Sequence, residues 1–123
     1  MRKGIGPVRA APKNLEAQLQ NKILGRFGAM PGILVFVNTV KTLPNPFGPG
    51  HLSFGLGEGT PDLVGSVDGR FCGWELKVPG KKPKPHQDAV HRAWRAQGAF
   101  VAVVHSEDEF EESVARARRG ESQ

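Results

Sequence analysis

Asp68-Gly69 stands between two runs rich in apolar and β-branched residues, PDLVGSV over 61–67 and RFCGWELKV over 70–78. An Asp-Gly pair tolerates the positive φ that a type I′ turn needs, and that turn has the twist of paired strands, so the dipeptide predicts a tight β-hairpin. KPHQDAVHRAWRAQ, 84–97, follows, with Pro85 suited to a first turn and Gly98 to a stop. It predicts a helix. GAFVAVVHS, 98–106, then reads as a buried strand. Strand, helix and strand between 71 and 104 predict a parallel pair joined by a right-handed crossover. A hairpin whose second strand also opens such a unit leaves few architectures open.

The flanks extend this frame. Leu15, Leu19, Ile23 and Phe27 recur at four-residue steps and predict a helical stripe ending near Gly28. ILVFVNTV, 33–40, predicts a strand. KTLPNPFGPGHLSFGLGEGT, 41–60, is crowded with Pro and Gly and reads as a long loop, with HLSF as a short extended piece within it. EDEFEESVARARR, 107–119, places acids in its first turn and arginines in its last, which complements a helix dipole. In the helix after the hairpin, Ala89, Val90, Ala93 and Trp94 are expected inward, with Lys84, Asp88, Arg92 and Arg95 on another face. The expected fold class is α/β: a small mixed β-sheet flanked by helices, in the order α-β-β-β-α-β-α. A flexible basic arm is expected over 1–12, the domain over 13–118 and a disordered tail over 119–123.

Charge narrows the partner. Lys and Arg total 17 against 12 Asp and Glu, a formal net charge of +5, which suits a polyanion such as nucleic acid. The single cysteine, Cys72, forms no intrachain disulfide and suits a reducing compartment. No apolar run reaches the ~20 residues of a membrane span, so the cytoplasm is the expected location. GLGEGTPD leads into a strand rather than a helix, which excludes a nucleotide-binding glycine loop. His51 and His105 are isolated, and His86 and His91 are spaced onto different faces of a helix, which argues against a zinc site. Cys72 has no histidine placed to activate it.

The chemistry gathers in the hairpin. In a strand, residues two apart share a face, so Glu75 and Lys77 project together and Trp74, Leu76 and Val78 oppose them. If the two strands pair, Asp62 approaches Glu75 from one end. Two close carboxylates repel, and a divalent cation removes the conflict. Hard oxygen ligands suit Mg²⁺ or Mn²⁺, which polarises a phosphoryl oxygen and acidifies a bound water, while a neighbouring lysine stabilises developing charge. The same three residues also fit an exposed hairpin with a cross-strand ion pair.

Flanking residues favour the site. Pro61-Asp62, Glu75-Leu76-Lys77, the segments GTPDLVG and GWELKVPG, and a Gln early in the next helix resemble the VRR-NUC domain of the PD-(D/E)xK nuclease superfamily. The resemblance runs from about Glu16 to about Ser106. It implies a restriction-endonuclease-like fold, with Asp62, Glu75 and the backbone carbonyl of Leu76 as metal ligands and Lys77 as the catalytic lysine. It implies a supporting role for Gln87 and a metal-binding role, direct or through water, for Glu16. Read by itself, Glu16 fits equally an exposed acid at a helix N-terminus. The resemblance further implies a Mg²⁺- or Mn²⁺-dependent endonuclease acting on branched or flapped DNA, working as a homodimer like the Holliday junction resolvases. Lys81, Lys82 and Lys84, just after the ExK segment, are expected DNA contacts, extended by Arg92 and Arg95. The alternative is a DNA-binding module of a recombination or packaging assembly that keeps the fold but does not cut.

Overall fold

The computed structural model describes residues 15–123; the expected basic arm lies outside them. Helix α1 (Leu15–Phe27) leads to strand β1 (Ile33–Val37), a hairpin β2 (Lys41–Pro44) and β3 (His51–Phe54), and strands β4 (Leu63–Val67) and β5 (Arg70–Leu76). Helix α2 (Pro85–Ala96), strand β6 (Phe100–Val104) and helix α3 (Glu107–Arg118) complete the chain. Four strands form a mixed sheet in the order β1-β4-β5-β6, with β6 parallel to β5 and the other pairs antiparallel. No helix among the described residues is long and apolar enough to cross a membrane.

The β4–β5 turn follows its local chemistry. Asp68 and Gly69 take φ of 50° and 85°, and Val67 pairs with Arg70. That register puts Leu63 opposite Trp74 and leaves Asp62 at the mouth of the pair. One face of the sheet carries α1 and α3. There Trp74 is fully buried, its ring 4.8 Å from that of Phe110, which lies 4.8 Å from that of Phe27. Ile23, Leu76, Phe100 and Val104 fill the same layer. Each such side chain contributes about 1.5–3 kcal/mol through burial. The indole N–H of Trp74 donates to Ser113 Oγ at 2.9 Å, so the one polar atom of that ring is satisfied.

Three expectations are corrected here. The region 41–60 is not one long loop: KTLP and HLSF pair as β2–β3, with Leu43 opposite Leu52. Most of its breakers fall at the tip, where Asn45 Oδ1 accepts from Phe47 N at 2.9 Å, or after β3 at Gly55, Gly57 and Gly59, so the residues between remain free to pair. Helix α2 buries a stripe that keeps Val90 and Trp94 of the four residues expected inward and replaces Ala89 and Ala93 by Gln87 and His91. Ala89 and Ala93 are exposed; Gln87, Val90 and Trp94 are half-buried and His91 is buried, a run at i, i+3, i+4 and i+7. Residues 119–123, expected as a disordered tail, have no helix or strand but are held. The Ser122 carbonyl accepts from Val101 N at 3.0 Å, and Arg70 reaches the Glu121 carbonyl.

Candidate active site

The segment that delivers Asp62 is clamped by Asn38, just after β1. Its side-chain amide donates to Thr60 Oγ1 and the Pro61 carbonyl, both at 2.8 Å, and its backbone N–H donates to the Asp62 carbonyl at 2.8 Å. Its Oδ1 accepts from Leu56 N at 3.3 Å. Pro61 then packs so closely on β5 that a Cβ at Gly73 would lie 2.7 Å from Pro61 Cγ and 3.1 Å from the Trp94 ring. Only glycine lets the PD segment and α2 meet there.

Asp62 Oδ2 accepts from Leu76 N at 2.8 Å, which pins the carboxylate beside the end of β5. Burial, then the neighbouring Glu75 charge, push Asp62 up to about 7 against the lowering effect of the Leu76 N–H, and the Glu16 charge adds to the rise. Glu75 is 2% exposed. Lys77 Nζ stands 3.7 Å from its Oε2, and Gln87 Nε2 donates to the same oxygen at 3.4 Å. Gln87 Oε1 accepts from Lys84 N at 2.8 Å, so one amide joins the start of α2 to the acid. Glu75 Oε1 has no hydrogen-bond partner.

Asp62, Glu75, Lys77 and Gln87 are thus brought together by three elements. Glu16 is more distant: exposed in the first turn of α1, it lines a cleft of about 240 Å³ with Lys22, Lys77, His105 and Glu107. Among the described residues no three His, Cys, Asp or Glu side chains converge as a ready metal cluster. The donor chemistry still fits a hard divalent cation. Asp62 and Glu75 supply two close carboxylates, one raised by burial and by its neighbour and the other carrying an unpartnered oxygen.

Around this center, Lys81, Lys82, Lys84 and Arg92 are exposed. Arg95, expected as a DNA contact, is instead half-buried and tied to the sheet, donating through Nε and Nη2 to the Val101 carbonyl at 3.2 and 2.8 Å. Burial pushes the Cys72 thiol up to about 11, which removes it as a nucleophile at neutral pH. Two residues escaped the sequence reading. Asn38 carries no local signal. His91 carries one, since it stands four residues after Gln87 and so shares its helix face.

The arrangement can hold one cation on two carboxylates and place an ammonium beside it. A solved structure described as a "VRR_NUC domain" matches with a TM-score of 0.56 and 28% sequence identity, over 82% of this chain and 95% of that one. No protein-family model matches the chain, and no curated protein does. Identity at that level over most of both chains is homology of the domain, and the architecture is restriction-endonuclease-like.

Proposed function

We propose that the protein is a Mg²⁺- or Mn²⁺-dependent DNA endonuclease that hydrolyses phosphodiester bonds in branched DNA, of Holliday junction or flap type. The observation that carries this reading is the pairing of Asp62 with the buried Glu75, two carboxylates held together with the Lys77 ammonium 3.7 Å from one of them. The homologous VRR_NUC fold supports it.

Asp62 and Glu75 would hold the cation, with the Leu76 carbonyl and Glu16 as further oxygen donors. When bound, the cation supplies neutralisation of the phosphodiester and a more acidic water. Lys77 places positive charge where the phosphorane builds negative charge. Gln87 keeps Glu75 oriented through its 3.4 Å hydrogen bond. Lys81, Lys82, Lys84 and Arg92 hold the DNA by its phosphates, which makes binding fall with salt. A homodimer is part of the reading. Leu34 and Phe36 share one face of edge strand β1 and are 55% and 57% exposed, an apolar surface of the kind a second copy covers.

The test is cleavage of labelled linear duplex, single strand, 5′ flap and four-way junction in Mg²⁺, Mn²⁺ or chelator. Cutting should require metal and prefer the branched DNAs. Asp62→Ala and Lys77→Ala should each lower it by roughly 100-fold or more. Full activity in both variants would sink the reading. Wild-type protein that binds these DNAs and cuts none would identify a non-cleaving DNA-binding module.

A further inference from the structure

Glu75 is the one buried carboxylate among the described residues, and its two oxygens are treated differently. Lys77 and Gln87 both approach Oε2. Oε1 faces Nε2 of His91 at 3.5 Å. That contact lies outside hydrogen-bond geometry, and neither Oε1 nor either ring nitrogen of His91 has a hydrogen-bond partner. His91 is 1% exposed. A leucine would fill that space without stranding two ring nitrogens, so packing alone is a poor reason for an imidazole there.

The terminal torsion of a glutamate is soft and roughly two-fold. One hydrogen bond from Gln87 and one ion pair with Lys77, both on Oε2, leave the carboxylate free to swing about that oxygen. A donor on the other oxygen stops the swing. We infer that His91 is a positioning residue that holds Oε1 of Glu75 through its Nε2–H and so presets the carboxylate for the divalent cation. The inference rests on the metallonuclease reading and adds to it a residue on α2 that never touches the DNA. It requires only a hydrogen on Nε2, which the neutral ε tautomer carries. Partners that orient a ligand in this way commonly matter about 10–100-fold for metal affinity.

The experiment is calorimetric titration of Mn²⁺ into wild type and three variants, with thermal midpoints measured in chelator. His91→Gln keeps an N–H at the reach of Nε2, His91→Asn stops at the reach of Nδ1, and His91→Leu removes the donor. The Leu variant should melt no lower than wild type in chelator yet bind Mn²⁺ about 10–100-fold more weakly. The Gln variant should recover most of that affinity and the Asn variant should not. If the Leu variant fails to fold, the difference between Gln and Asn decides. Wild-type affinity in the Leu or Asn variant overturns the inference and leaves the nuclease reading standing. Equal losses in Gln and Asn, together with lowered midpoints, overturn it in favor of packing. A wild-type protein that takes up no Mn²⁺ overturns both.

Discussion

Strand β5 turns Cys72, Trp74 and Leu76 to one side of the sheet, and Phe71, Gly73 and Glu75 to the other, with Lys77 just past its end. Trp74 and Glu75 are adjacent in the chain and almost equally enclosed, at 0% and 2% exposure. On the first side Trp74 is satisfied: aromatic rings meet at 4.8 Å and the indole N–H finds Ser113, the buried Nε of Arg116 over Phe100 being the polar atom left without a partner there. On the second side Glu75 Oε1 and both ring nitrogens of His91 are buried without a hydrogen-bond partner, and Asp62 is pushed up by burial and by Glu75. Depth is therefore not what separates a core from a site. What surrounds each side chain is: the α1–α3 face sets Trp74 among aromatic rings and a hydroxyl that takes its N–H, and the α2 face sets Glu75 in an electrostatic conflict that the proposed cation would resolve.

The contrast is broken most severely by Trp74→Ala, which should destabilise by about 3–5 kcal/mol in chemical denaturation, since it empties the center of an aromatic cluster. A cost below ~1 kcal/mol would show that the first face is not the seat of stability. Gly73→Ala tests the tight seam on the second face. Overpacking against Pro61 and Trp94 should cost about 1–3 kcal/mol and, by shifting Pro61, also weaken Mn²⁺ uptake. Wild-type values in both measurements would mean that the seam yields freely.

Asp62→Asn should act in the opposite direction. The folded value of Asp62 is raised from 3.8 to about 7, so the folded state holds its proton more tightly than the unfolded chain. Metal-free stability then falls as pH rises between those two values and levels off above them. The amide removes that fall while keeping an acceptor for Leu76 N–H. It should stabilise the chelated protein at pH 7.5 by about 1–2 kcal/mol, a figure discounted for the partial exposure of Asp62. Denaturation of both proteins at pH 5 and pH 7.5 checks the sign, and a wild type that gains stability with pH across this window would contradict it.

The smallest effect belongs to the other histidine pair. His105 Nδ1 meets Glu109 Oε1 at 2.8 Å, and its Nε2 meets the Lys81 carbonyl at 3.1 Å, in partly exposed positions. The Glu109 hydrogen bond, against the opposing effect of burial, raises His105. Burial would raise Glu109, but the hydrogen bonds and charge of His105 together outweigh it and lower that acid. The stabilisation from His105 is complete below its unfolded value and is lost as pH rises through the higher folded one. That from Glu109 is lost as pH falls through its lowered value. His105→Ala should therefore cost less than ~1 kcal/mol near pH 6 and approach nothing at pH 9. A pH-independent cost would assign His105 to packing.

Several of these features are legible in the chain because they obey short-range rules. Asp68-Gly69 specifies its turn through backbone torsions alone, and the two-residue period of a strand puts Glu75 and Lys77 on the side opposite Trp74. The proposed pairing of Asp62 with Glu75 follows from the register that this turn sets. The pairing of KTLP with HLSF was masked because prolines and glycines grouped at a hairpin tip and just after its second strand look, in composition, like a loop throughout. The buried face of α2 was only half legible, through Val90 and Trp94, for a deeper reason. Apolar residues mark the buried side of a helix only when the surface beneath is apolar, and here the surface beneath carries Glu75. Gln87 and His91 therefore turn inward while Ala89 and Ala93 face water, and Arg95 leaves the solvent to reach the Val101 carbonyl. Which polar groups are enclosed is a property of what packs against them, and only the assembled sheet decides that.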